Sequence, residues 1–105
     1  MPSGFNRDIL TAEVVDMTLF HQHDRIILAE DSGETLAEVT FPERNGLSVI
    51  EHTIVSPTLR GQGIADQLLL ATAQQLREEG RMARVTCPYA IKWFSAHPEW
   101  QSLLA

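Results

Sequence analysis

Alternation with a period of two governs the first half of this chain, and a period near 3.6 governs the stretch after it. Met17 to Phe20 predicts a short strand, interrupted by His21-Gln22-His23-Asp24 and resumed as an apolar β run from Arg25 to Ala29. Asp31-Ser32-Gly33-Glu34 is turn chemistry. From Thr35 to Phe41, Ala37, Val39 and Phe41 fall on one face, and Leu36, Glu38 and Thr40 on the other. Pro42-Glu43-Arg44-Asn45-Gly46 carries an Asn-Gly hairpin signal. Leu47 to Val55 predicts the next strand, so the first half reads as an antiparallel meander.

The period then changes. Ile64, Leu68, Thr72 and Leu76 share one helical face, flanked by Ala65 and Leu69, while Asp66, Gln67, Gln74, Arg77 and Glu78 lie on the wet side. Gly80 is placed to stop this helix. Arg81 to Cys87 predicts a second strand, and a strand–helix–strand unit is normally parallel and right-handed. Pro88 fits the first turn of another helix, which continues through Ile91, Trp93, Phe94 and Ala96 until Pro98 closes it. Trp93, Phe94 and Trp100 read as core, and Leu103 and Leu104 as a terminal turn packed on it. The fold class is α/β: a mixed sheet, antiparallel first and parallel across the helix, with two main helices. Residues 1–16 read as an N-terminal extension whose later part, Ile9 to Val15, is a short helix or strand. Residues 17–105 read as the domain.

Composition narrows the partners. A chain of 105 residues supports one domain with one core. Its net charge of −6 argues against nucleic acid and is compatible with a cationic substrate such as an amine. One cysteine makes no internal disulfide, which points to a reducing compartment. No apolar run reaches membrane-spanning length, and the polar start lacks a signal-peptide core. The expectation is a cytoplasmic protein, monomeric or weakly dimeric, without membrane partners.

The chemistry concentrates where the strand ending at Val55 feeds a glycine-bearing loop that opens the helix at Ile64. The first amides of a helix have no intrahelical acceptor, and the dipole adds partial positive charge there. Gly61 and Gly63 allow positive φ and close approach to the backbone. This suits a phosphate or pyrophosphate, although a tight loop also needs glycine for its turn alone. A Walker A loop is excluded, because Ile64-Ala65-Asp66 follows Gly63, and Asp66 stands where a dinucleotide fingerprint needs its third glycine or an alanine. Arg60-Gly61-Gln62-Gly63-Ile64-Ala65 instead resembles the acetyl-CoA pyrophosphate loop of the GNAT N-acetyltransferase superfamily, Gln/Arg-x-x-Gly-x-Gly/Ala.

The resemblance extends further. Glu51-His52-Thr53, Leu59-Arg60-Gly61-Gln62-Gly63-Ile64, Cys87-Pro88-Tyr89 and His97-Pro98-Glu99-Trp100 occur in that order. Together they look like the short, single-domain branch of that superfamily, over roughly residues 17–104. Two positions depart from the branch. Ile54 stands where an acidic residue usually follows His-Thr, which removes a carboxylate near the expected acetyl site. Ala65 stands where Gly is common.

The resemblance implies acetyl-CoA as co-substrate, with no metal. Two parallel strands, Leu47 to Val55 and Arg81 to Cys87, would splay apart, and pantetheine would bond to backbone around Ile54 and Val55. The pyrophosphate would rest on amides of Gly61, Gln62, Gly63, Ile64 and Ala65, with Arg60 adding charge-assisted contacts. Cys87 lies where a strand meets a Pro-led helix, and a helix N-terminus biases a thiol toward thiolate. The expectation is that Cys87 takes the acetyl group transiently or helps position it, with His52 as candidate base. A buried small hydrophobe is the other reading of Cys87, and a hydrogen-bonded core histidine that of His52. Tyr89 either protonates the departing thiolate or packs over the cleft. His21 and His23 stand in a predicted turn with no further ligand nearby to complete a tetrahedral set, and are read as solvated. The function expected is N-acetyl transfer to a lysine side chain or small amine; the alternatives are a CoA-binding module without catalysis and a phosphate-binding domain unrelated to CoA.

Overall fold

The computed structural model describes residues 17–105. The reading of residues 1–16 as an extension lies outside them. Strands β1 (Met17–His21), β2 (Arg25–Glu30) and β3 (Thr35–Thr40) form the expected antiparallel meander. Leu19, Ile26, Leu28, Ala37 and Val39 point to one side and are buried there. Leu36, which alternation assigns to the other face, is buried as well, at 8 % exposure. The ladder shifts register between Leu28 and Ala29, so simple alternation does not carry through that row.

The hairpin at Asn45-Gly46 forms as predicted. Both residues have positive φ, 53° and 81°, as a two-residue turn between twisted strands requires. It joins β4 (Glu43–Arg44) to β5 (Leu47–Ile50).

The stretch read as one strand, Leu47 to Val55, is two. β5 ends at Ile50, and β6 runs from His52 to Val55 in the other sheet. One sheet has the order β1-β2-β3-β6, and the other β4-β5-β7 with β7 at Ala83–Val85. Glu51 makes the crossing. Its N–H donates to the Thr40 carbonyl at 3.0 Å, and its carboxylate takes Arg44 at 2.7 Å. Ser48, Val49 and Ile50 are all buried, as in a strand covered on both faces.

Helix α1 (Ile64–Glu78) lays Ile64, Leu68, Leu69, Thr72, Ala73 and Leu76 against the inner face of the larger sheet. It ends at Gly80, φ +67°, with bonds from Gly80 N–H to the Arg77 carbonyl and from Arg81 N–H to the Leu76 carbonyl. β7 then runs parallel to β5, pairing Ser48 with Ala83 and Ile50 with Val85. This strand is shorter than the predicted Arg81 to Cys87. Helix α2 (Pro88–Ser95) buries Ala90, Trp93 and Phe94, while Ile91 faces outward. The last turn, Pro98–Leu103, is fixed to α1 by Arg77, which donates to the Glu99 carbonyl and lies 3.9 Å over the half-buried Trp100 ring.

Candidate active site

The two sheets share one continuous path and separate at Ile50. Its carbonyl accepts the N–H of Thr86 at 3.0 Å and of Cys87 at 3.2 Å. Beyond that point β6 pairs with β3 alone, so β6 and the start of α2 diverge. The expected splay is therefore present, with one change: the strand flanking it is β6, a member of the other sheet.

Three pieces of chain meet at this opening. β6 supplies Thr53 and Val55 on its inner face, and His52 and Ile54 on its outer, exposed face. The start of α2 supplies Cys87, its N-cap residue. Cys87 is 7 % exposed, and its thiol meets Thr53 Oγ1 at 3.7 Å. Thr53, rather than His52, is thus the β6 side chain that touches Cys87. His52 is exposed, so the core-histidine reading does not hold. No side chain caps α2, and Pro88 at its first position removes one of the free amides.

The third piece is the loop from Ser56 to Gly63. Ser56 N–H donates to the Leu36 carbonyl at 2.7 Å, holding the loop's start on β3. A 3-10 turn over Pro57–Leu59 follows, which the sequence signals only through a proline after a serine. Arg60 is exposed and its Nε donates to the Val55 carbonyl at 3.4 Å, while Gln62 Nε2 reaches the Thr58 carbonyl at 3.5 Å. Gly61 and Gly63 have φ of +85° and +75°. Gly63 is the N-cap of α1, and no side chain caps that helix. Gln67 N–H is the amide that takes the Gly63 carbonyl, so the amides of residues 63–66 have no intrahelical acceptor.

Tyr89 joins the two helix starts: its hydroxyl donates to Asp66 Oδ1 at 2.9 Å. Partial burial, and then the hydrogen bond and charge of Asp66, hold the phenol above its ordinary value. That bond is the contribution of Asp66 that helical periodicity alone does not reveal. Tyr89 is the chain's single tyrosine, so phenolate absorbance reports it alone. Its titration midpoint should lie above that of free tyrosine, and Asp66→Asn should bring it down. Stability from this contact is complete below the ordinary tyrosine pKa and is lost as pH rises through the raised one.

His21 and His23 lie elsewhere. His21 Nδ1 meets Gln75 Oε1 at 2.9 Å, and Gln75 Nε2 donates to the Gln22 carbonyl at 2.8 Å, tying the β1–β2 turn to α1. His23 stands 3.6 Å from Glu43. A cavity of about 710 Å³ opens beside that turn and the second half of α1, away from the Ile50 opening. Among the described residues no group of His, Cys, Asp and Glu is placed to hold a metal ion, and no helix is long and apolar enough to cross a membrane.

The chain is similar over 83 % of its length to the solution structure of a "GCN5-like putative N-acetyltransferase" from Staphylococcus aureus, covering 86 % of that chain at 26 % identity and TM-score 0.67. It shares the fold of the crystal structure of a "putative acetyltransferase" from Deinococcus radiodurans, at 17 % identity and TM-score 0.50, covering 75 % of this chain and 52 % of that one. No curated protein matches it significantly. A family model described as GCN5-related N-acetyl-transferase matches residues 25–103, and the chain belongs to that family. By class it is an acetyltransferase.

Proposed function

We propose that this protein binds acetyl-CoA at the Ile50 opening and transfers the acetyl group to an amine, a lysine side chain or a small amine. One observation carries the reading. The uncapped N-terminus of α1, preceded by two glycines at positive φ, lies on the chain segment that leads directly out of β6. The residues suit the cofactor. A Cβ built at Gly61 or Gly63 meets nothing within 4 Å, so the space beside the loop is open. The amides of residues 63–66 lack intrahelical acceptors there, and the exposed Arg60 adds a positive charge. Acetyl-CoA supplies the activated thioester. The chain's part is to hold the diphosphate on these amides, to align pantetheine along Ile54 and Val55, and to bring the thioester beside Cys87.

Cys87 takes the acetyl group in this proposal. Its sulfur bonds to the carbonyl carbon, the thioester C–S bond breaks, and CoA leaves as the thiol with the proton that Cys87 gives up. The amine then attacks acetyl-Cys87, its proton returns to the sulfur, and the amide is released. Cys87→Ser should abolish the acetylated species in intact mass spectra after incubation with acetyl-CoA. It should also lower turnover about a hundredfold or more, the scale on which losing a positioned reacting group acts. Full turnover in Cys87→Ser would exclude this route and leave direct attack by the amine.

One observation favours a second reading, a CoA-binding module without catalysis. Among the described residues neither imidazole nor carboxylate touches the Cys87 thiol, because His52 is on the other face of β6. Turnover against an amine panel separates the two.

A further inference from the structure

We propose that the Tyr89 hydroxyl holds the Asp66 carboxylate off the amides at the start of α1 and so keeps them open for the diphosphate; this rests on the acetyl-CoA reading above. Tyr89 is in this role a positioning residue that acts through Asp66. Gly63 is the N-cap of α1, which puts Ile64, Ala65 and Asp66 at its first three helical positions. Negative charge is favoured in a first turn, and an acidic side chain at the third position is placed to fold back on the N-cap amide, as glutamate does in a capping box. Asp66 is the one acidic residue in this first turn, yet no side chain caps α1. Its carboxylate is engaged elsewhere: Oδ1 accepts the Tyr89 hydroxyl at 2.9 Å.

The restraint comes from the other helix. Pro88 is the first residue of α2 and Tyr89 the second. Among the described residues this is the one hydrogen bond between α1 and α2. Asp66 is exposed and Tyr89 is 43 % exposed, so packing does not fix the carboxylate and the bond decides where it rests. Released from Tyr89, the carboxylate is drawn to the nearest donors on its own helix, the amides of residues 63–66, which have no intrahelical acceptor. There it costs affinity twice. It occupies a donor that the diphosphate needs, and it sets a negative charge against the incoming phosphates. Held by Tyr89, Asp66 still favours the start of α1 through its charge and leaves the seat empty.

The test compares the full parent chain, Tyr89→Phe, Asp66→Ala and the double variant, each titrated calorimetrically with acetyl-CoA. Tyr89→Phe should weaken binding about three- to tenfold, the scale of one exchanged hydrogen bond. Asp66→Ala should bind at least as tightly as the parent. The double variant should bind as Asp66→Ala does, because Tyr89 then has nothing to restrain. A direct contact between Tyr89 and the cofactor gives another pattern, the same loss with or without Asp66. That pattern overturns the proposal, as does a Tyr89→Phe protein that binds like the parent. An Asp66→Ala protein as weak as Tyr89→Phe overturns it too, since Asp66 would then support the loop. NMR reads the same event with no ligand present. Phenylalanine keeps the ring, so its ring-current effect stays. Tyr89→Phe should move at least one amide proton of residues 63–66 downfield, and the same substitution made on Asp66→Ala should move none. Resonances that stay in place in Tyr89→Phe overturn the proposal. A parent chain that refuses acetyl-CoA would sink the acetyl-CoA reading, and the amide resonances would still decide whether Tyr89 restrains Asp66.

Discussion

Gly63→Val is expected to weaken acetyl-CoA binding at least tenfold, or about 1.4 kcal/mol. Gly63 holds φ 75° and ψ 16°, a left-handed conformation at the N-cap of α1. An L side chain costs about 1–2 kcal/mol in that region, and branching at Cβ makes it worse. Collision is not the obstacle, since a Cβ there meets nothing within 4 Å. The strain acts on the backbone. Relaxing it rotates Gly63 toward extended φ and swings the amides of residues 63–66 off their common direction. A suitable control is Gly80→Val, where φ is +67° beyond the far end of the same helix, whose 15 residues span about 22 Å. It carries the same kind of strain and should lower stability without touching affinity. Calorimetric titration with acetyl-CoA, paired with urea unfolding, reads both quantities. A Gly63→Val protein that binds as the parent does would show that this loop does not seat the phosphates.

Leu68→Ala should remove about 2–5 kcal/mol of folding stability, a large share of the 5–15 kcal/mol typical of a domain. Leu68 is fully buried, one turn beyond the helix start, among the side chains that hold α1 to the larger sheet. Truncation leaves a cavity that neighbours on a rigid sheet close only in part. The urea midpoint should fall with the slope unchanged. Leu70, on the outward side at 38 % exposure, is the reference; its alanine variant should stay within about 0.5 kcal/mol of the parent. Equal losses at both positions would contradict the packing of α1 described above. The functional consequence follows from the same geometry. The amides at residues 63–66 keep their position only while α1 is docked.

Features that depend on one residue's own chemistry were legible in the sequence. Positive φ at Gly61, Gly63 and Gly80, and the Asn45-Gly46 hairpin, follow from which residues tolerate that conformation. The faces of α1 follow from its spacing, and the opening of α2 from Pro88. What the chain does with its strands was less legible. Leu47 to Val55 contains no breaker, and one charged residue, Glu51, is all that marks the crossing between sheets. Such a crossing is decided by partners far away in sequence, here Thr40 and Arg44. The contact between Thr53 and Cys87 was hidden for the same reason. Alternation says that His52 and Thr53 face opposite ways, but which of them meets Cys87 depends on how the sheets are set against each other. The pairing of Asp66 with Tyr89 joins two helices across a separation of 23 positions, and no local pattern encodes it.

The doubly used carbonyl of Ile50 sets a limit of its own. Anything sliding between the sheets is halted there, because going further means tearing two amides from the same oxygen. The depth to which a guest can penetrate is thus fixed by main-chain atoms. Sequence drift along the walls can alter how firmly a guest is gripped and leave its stopping place unmoved.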